Sequence, residues 1–82
     1  MEVVWDEPKR LANRIKQGLD FADLTPEFFA SAKTGNAKRS RLIAIGALAD
    51  GTVTVIFVKL GSEGLSVISM RPASAKERLV LP

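Results

Sequence analysis

Eighty-two residues, 46% of them hydrophobic and 26% charged, suit one ordinary domain and lie far from the composition of a disordered chain. The absence of cysteine excludes a disulfide framework and a thiolate metal site, and the absence of histidine removes the usual proton shuttle near neutral pH and the commonest metal ligand. The net charge is only +3 but unevenly spread: no acid lies between Glu27 and Asp50, where Lys33, Lys38, Arg39 and Arg41 stand, and from Leu65 onward Arg71, Lys76 and Arg78 face Glu77 alone.

Two basic stretches suit phosphate contact if folding joins them, although a solvated basic surface would have the same composition. The opening Met-Glu-Val-Val-Trp-Asp lacks the regions of a signal peptide. The apolar runs Leu42 to Leu48 and Val53 to Leu60 are much shorter than the roughly 20 residues of a membrane-spanning helix. A single cytoplasmic domain over residues 1–82 is the expectation.

Val3, Val4 and Trp5 predict a short first strand. Asp6 then serves as an N-cap, Pro8 fits a first helical turn, and a helix runs from about Glu7 to Gln17, with Gly18 as a left-handed C-cap. Leu11, Ile15 and Leu19 predict its buried stripe, leaving Lys9, Asn13, Lys16 and Gln17 in an exposed row that is the candidate working surface. Phe21 and Leu24, followed by a fresh start at Thr25-Pro26-Glu27, predict a short or broken helix. Ser31 to Ser40, with Gly35 and Asn36, reads as a loop holding a short edge strand.

Arg41 to Leu48, Val53 to Leu60 and Leu65 to Met70 are rich in β-branched residues and separated by turn sequences, which predicts an antiparallel three-strand meander. Val-Thr-Val-Ile-Phe-Val is apolar at nearly every position and so central, while Ser66 and Ser69 relieve the last strand. Ala73 to Leu81 predicts a short closing helix whose Ala75, Leu79 and Val80 dock on the sheet. The fold class is α+β, an antiparallel sheet with the N-terminal helices on one face.

The acids are scattered, no phosphate-cradling Gly-rich loop is present, and no cofactor or metal is expected. What remains is Lys16, Arg41, Arg71, Glu77 and Arg78. Such cations can hold a phosphate and stabilise the charge of its transition state, with Glu77 as proton acceptor. The bland alternative is that Glu77 pairs with an Arg and all of them are surface ions. Trp5 could stack on a base, but beside Val3 and Val4 it reads as packing, as do Phe28 and Phe29.

Trp5-Asp6, Lys9, Asn13, Lys16-Gln17-Gly18 and Phe21 resemble the Trp-Asp, Lys, Asn, Lys-His-Gly, Phe pattern of the BrnT toxins of bacterial type II toxin-antitoxin systems. Arg41-Leu-Ile-Ala-Ile-Gly46 is similar to that family's Arg-aromatic-Ile-Ala-Ile-Gly run. Val67-Ile-Ser-Met-Arg71, Ala73 and Lys76-Glu77-Arg78 resemble its Ile-Ile-Ser-Ala-Arg and Glu-Arg ending. The resemblance covers almost the whole chain. It departs at Gln17 for the family's His, Ser40 for a Glu, Ser66 for a basic residue, Pro72 for a second Arg and Leu81 for an aromatic.

The resemblance implies a RelE-like fold, a translation-arresting ribonuclease that works without metal through the substrate's own 2′-hydroxyl, and a catalytic set of Lys16, Arg41, Arg71, Glu77 and Arg78. Expected RNA contacts are Lys9, Asn13, Gln17, Lys38, Arg39 and Lys76. The implied partner is a BrnA-like ribbon-helix-helix antitoxin, with operator DNA reached only through it, in a homodimer or a heterotetramer with the antitoxin. A catalytically degenerate toxin that still binds its antitoxin and co-represses the operon fits the same departures, and a general RNA-binding module is a third reading.

Overall fold

The Val-Thr-Val-Ile-Phe-Val run lies at the centre of a five-stranded sheet in a computed structural model that describes residues 1–49 and 51–80. Asp50, expected in a turn, and Leu81, expected in the last helix, lie outside the described residues. The strands are β1 (Glu2–Trp5), β2 (Lys33–Asn36), β3 (Leu42–Leu48), β4 (Gly51–Leu60) and β5 (Gly64–Pro72), in the order β1-β5-β4-β3-β2. The meander and the edge strand β2 pair antiparallel.

The expectation of an antiparallel sheet needs one correction, because β1 pairs parallel with β5, Glu2 opposite Gly64 and Trp5 opposite Val67. Strands parallel to each other cannot be joined by a tight turn, and here residues 6–63 separate the two. The sheet is therefore mixed.

Alternation divides the residues of β4 between two faces. Val53, Val55 and Phe57 face a core with Ala44, Leu65, Val67 and Met70, while Thr54 points to the other side. A bulge between Ile56 and Phe57 carries the register from Ser69 to Val67, which lets Val67 and Met70 face the same core. Ser66 and Ser69 lie on the opposite face.

The core face is covered by a 3-10 turn at Phe21–Asp23 and the helix α2, Pro26–Ser31, the broken helix that the sequence predicts. Phe21, Leu24, Phe28 and Phe29 are buried there, each worth about 1.5–3 kcal/mol of apolar burial. Phe29 meets Phe28 and Phe57 edge-on, with ring centroids 5.1 and 5.2 Å away. Gly46 is where Phe28 lands: a Cβ there would come within 2.8 Å of Phe28 Cε1. No helix among the described residues is long and apolar enough to cross a membrane.

The first helix, α1 (Glu7–Gln17), starts and stops as predicted, with Asp6 accepting from the Lys9 amide and Gly18 closing it at φ 70°. Its orientation differs from the expected one. Leu11 and Ile15 are exposed, Ile15 by 88%, and Asn13 of the supposed outer row is buried, while Leu19 alone of the stripe packs on the core. The cause is the short β1. Beyond Val67 the edge of β5 has no partner strand among the described residues, and α1 lies along it, with Asn13 Oδ1 accepting from Met70 N at 3.1 Å and Asn13 Nδ2 donating to Leu19 O at 3.1 Å. A helix seated on a sheet edge satisfies backbone polar groups and need not present its apolar stripe.

The closing helix α3 is a single turn, Ala75–Arg78, and it does not dock through apolar side chains: Ala75, Leu79 and Val80 are exposed, Leu79 by 83%. Polar bonds to the outer face of the sheet hold it instead, so the helices do not all share one face.

Candidate functional site

Thr54 and Arg71 stand opposite each other on β4 and β5, on the face away from the phenylalanine core. Above them Ser74 and Glu77 form a capping box. The Ser74 hydroxyl accepts from Glu77 N at 3.1 Å, and Glu77 Oε1 accepts from Ser74 N at 2.8 Å. That box aims the Glu77 carboxylate back at the sheet. Oε1 also accepts from the Thr54 hydroxyl at 2.9 Å and from Arg71 Nη1 at 2.7 Å, while Oε2 accepts from Arg71 Nη2 at 2.8 Å.

The paired nitrogens make a fork-to-fork ion pair, the strongest and most directional kind. The Arg71 hydrogen bonds, then the Ser74 amide and the Thr54 hydroxyl, hold the Glu77 carboxyl down at about 2, against an ordinary 4.5, and Glu77 in turn raises Arg71. A carboxylate so engaged is a poor proton acceptor near neutral pH. The surface-ion alternative is right about the pairing, yet Glu77 is largely buried and the pair is built into the fold. Arg71, 42% exposed, keeps part of its guanidinium accessible.

Arg71 borders an open groove of about 440 Å³ between α1 and β5, lined on the helix side by Lys9, Asn13, Lys16 and Gln17 and on the strand side by Ser69 and Arg71. The structure thus joins Lys9, Lys16, Gln17 and Arg71 in one concavity. Asn13 reaches it only as wall, because both ends of its amide are spent on Leu19 and Met70. Its place in an exposed polar row is corrected, since Asn13 is buried. Arg78 and Lys76 follow on α3, Arg78 Nη1 donating to Ala73 O at 3.3 Å.

The second basic stretch is elsewhere. Lys38 and Arg39 occupy the β2–β3 turn, closed by Arg41 N donating to Lys38 O, with Arg39 and Ser40 at φ 61° and 62°. Arg41 stands beside Leu42, which pairs with Phe57, whereas Arg71 pairs with Thr54. At strand spacings that separates Arg41 from Arg71 by about 13 Å along the sheet and about 10 Å across it. Folding does not bring Arg41 to Arg71, although Lys33 stands in the same cross-strand row as Arg71.

Residues 5–77 match a family model described as the ribonuclease toxin BrnT of type II toxin-antitoxin systems. The chain belongs to the BrnT family. The crystal structure of the Brucella abortus ribonuclease toxin BrnT is similar to this chain, with 57% sequence identity and a TM-score of 0.84, over 90% of this chain and 97% of that one. No curated protein matches it. A toxin of a type II system has an antitoxin as partner.

In this BrnT-family chain the matched span takes in Lys16, Arg41, Arg71 and Glu77 and ends one residue before Arg78. Gln17 is half-buried in the groove wall; Pro72 ends β5 opposite Val53; and Ser66 is half-buried on the outer face. Among the described residues no three acids gather in a way that could hold a metal ion.

Thr54 and Ser74 are absent from the sequence-derived set. Ser74-x-x-Glu77 before a short helix is a capping-box signature and was readable. A hydroxyl inside Val-Thr-Val-Ile is the weaker signal for Thr54. Arg10 is a further omission. Its Nε donates to Asp20 Oδ1 at 2.7 Å and its Nη1 to Glu7 at 2.9 Å, tying α1 to the 3-10 turn that Asp20 caps. Arg10, followed by the Ala22 amide, lowers the Asp20 carboxyl. Trp5 packs on the core and its indole N–H donates to Glu7, while Phe28 and Phe29 are buried, in line with packing roles.

Proposed function

We propose that the groove between α1 and β5 is the RNA-cleaving site of a toxin domain spanning residues 1–82, acting in the cytoplasm with a RelE-like fold. The observation that carries this is Arg71, locked by the Glu77 fork and lining one groove with Lys9 and Lys16. A scissile phosphate fits between them. The substrate's 2′-oxygen attacks phosphorus, the 5′-oxygen leaves, and solvent takes up the first proton and supplies the second. Arg71 and Lys16 stabilise the charge that builds on the phosphoryl oxygens. Glu77 acts by holding Arg71, and Gln17 contributes hydrogen bonds without proton transfer. Arg78 and Lys76 extend the phosphate contacts from α3, while Lys38, Arg39 and Arg41 contact RNA at the far end of the sheet.

The partner in this reading is a BrnA-like ribbon-helix-helix antitoxin, through which the complex reaches operator DNA as a heterotetramer or around a toxin homodimer. A second reading, an antitoxin-binding co-repressor that does not cut, draws support from Gln17 and from the absence of a free base in the groove. Purified wild-type protein and Arg71→Ala are to be incubated with RNA and the cleavage rates compared. A wild-type rate at least 100-fold above the variant, as expected for removal of a cation from the reacting charge, supports the nuclease. Equal background cleavage by both leaves the co-repressor.

A further inference from the structure

Thr54 is fully buried in β4, between Val53 and Val55, with Ile45 and Arg71 as its cross-strand neighbours. Nothing about packing asks for a hydroxyl there, since valine has the same shape and suits a central strand at least as well. A buried hydroxyl is costly unless it is bonded. Its one bond is the proton it donates to Glu77 Oε1 at 2.9 Å.

Glu77 makes the connection outward. The oxygen that accepts from Thr54 also accepts from Arg71 Nη1 and Ser74 N, and the other oxygen accepts from Arg71 Nη2. A hydroxyl rooted in the central strand of the sheet therefore fixes one corner of the carboxylate. That carboxylate fixes the plane of the guanidinium of Arg71, a residue that borders the groove and keeps 42% of its side chain exposed. Without the hydroxyl the ion pair still forms, but the one-turn helix that carries Glu77 has no buried residue of its own and is anchored only before its start, at Ala73. Its freedom would pass directly to Arg71.

We propose that Thr54 is a positioning residue for RNA cleavage, setting the orientation of the Arg71 guanidinium in the groove through Glu77. The inference rests on the nuclease reading of that groove. Thr54, fully buried, acts through Arg71 on the rate at saturating substrate and leaves substrate binding to Lys9 and Lys16.

The test uses two substitutions that separate hydroxyl from shape. Thr54→Val keeps the volume and removes the hydroxyl; Thr54→Ser keeps the hydroxyl and removes the methyl. Positioning predicts that Thr54→Val lowers kcat by about ten- to a hundredfold, the scale expected when a reacting group is displaced by a fraction of an ångström to an ångström, with KM changed less than about twofold. Thr54→Ser is expected to stay within about threefold of wild type, although it is the variant with the packing defect. Glu77→Ala supplies the linkage, because it removes the oxygen that accepts from Thr54, and adding Thr54→Val to it should lower kcat no further.

Thr54→Ala takes the place of the valine variant should the latter not fold, as judged by its circular dichroism. A wild-type enzyme that cleaves while Thr54→Val matches it in kcat overturns the role of Thr54 and leaves the nuclease standing. The same holds if Thr54→Ser is the more damaged of the two. Wild-type protein no faster than Arg71→Ala overturns both together, and the Arg71→Ala comparison tells the cases apart.

Discussion

Glu77 combines four hydrogen bonds, from Thr54, Ser74 and both Arg71 nitrogens, on a single largely buried carboxylate. Its consequence for pH follows from the direction of the shift. The folded-state value of about 2 lies below the ordinary 4.5, so the folded protein binds this proton less readily than the unfolded chain does. The stabilisation is fully present above about pH 4.5 and is lost as pH falls towards 2. Asp20, lowered by Arg10, adds to the same trend. Thermal unfolding followed between pH 6 and pH 2.5 should show a midpoint that drops more steeply for wild type than for Glu77→Gln. The two curves should converge at the acid end, after a difference of about 1 kcal/mol near neutrality, the scale of a partly exposed ion pair. Parallel curves would mean that the ion pair carries no stability.

At the scale of elements, α1 makes the sharpest claim. Asn13 stands in for a missing strand by accepting from Met70 N, so Asn13→Ala leaves a buried backbone donor without a partner. A loss of about 1–3 kcal/mol in urea unfolding is expected. Ile15→Ser, on an 88% exposed side chain, should stay within about 0.5 kcal/mol of wild type. From hydrophobic periodicity the ranking would be the reverse. This marks the limit of what the sequence reveals: β3, β4 and β5 are legible because β-branched alternation reports burial directly, and α1 is legible in its bounds because Asp6, Pro8 and Gly18 act locally. The side of α1 that faces inward depends on where β1 stops along β5, a relation between segments some sixty residues apart in sequence. The parallel pairing of β1 is hidden for the same reason. In the site, Lys16 and Arg71 could be named from their residue types, and the capping box from its spacing. The Thr54 bond joins residues 23 positions apart and leaves no local pattern.

At the scale of the molecule, the charge is divided between two ends of one sheet in a body of about 29 × 29 × 25 Å. Lys9, Lys16 and Arg71 line the groove, whereas Lys38 and Arg39 sit on the β2–β3 turn, raised on two consecutive left-handed residues. A strand of RNA lying along the outer face would meet both, the groove end at its reacting phosphate and the turn end at phosphates further along. The two clusters should then separate in a salt titration. Single-stranded RNA loses affinity with salt at a slope of roughly 0.7 per neutralised phosphate, so Lys38→Ser with Arg39→Ser should reduce that slope by about 1.4 and weaken binding. It should leave kcat at saturating RNA within about twofold, because neither residue approaches the groove. Lys16→Ser should lower both the slope, by about 0.7, and kcat. If the turn variant instead loses kcat while its salt slope is unchanged, the turn belongs to the reacting site and RNA does not run the length of the sheet.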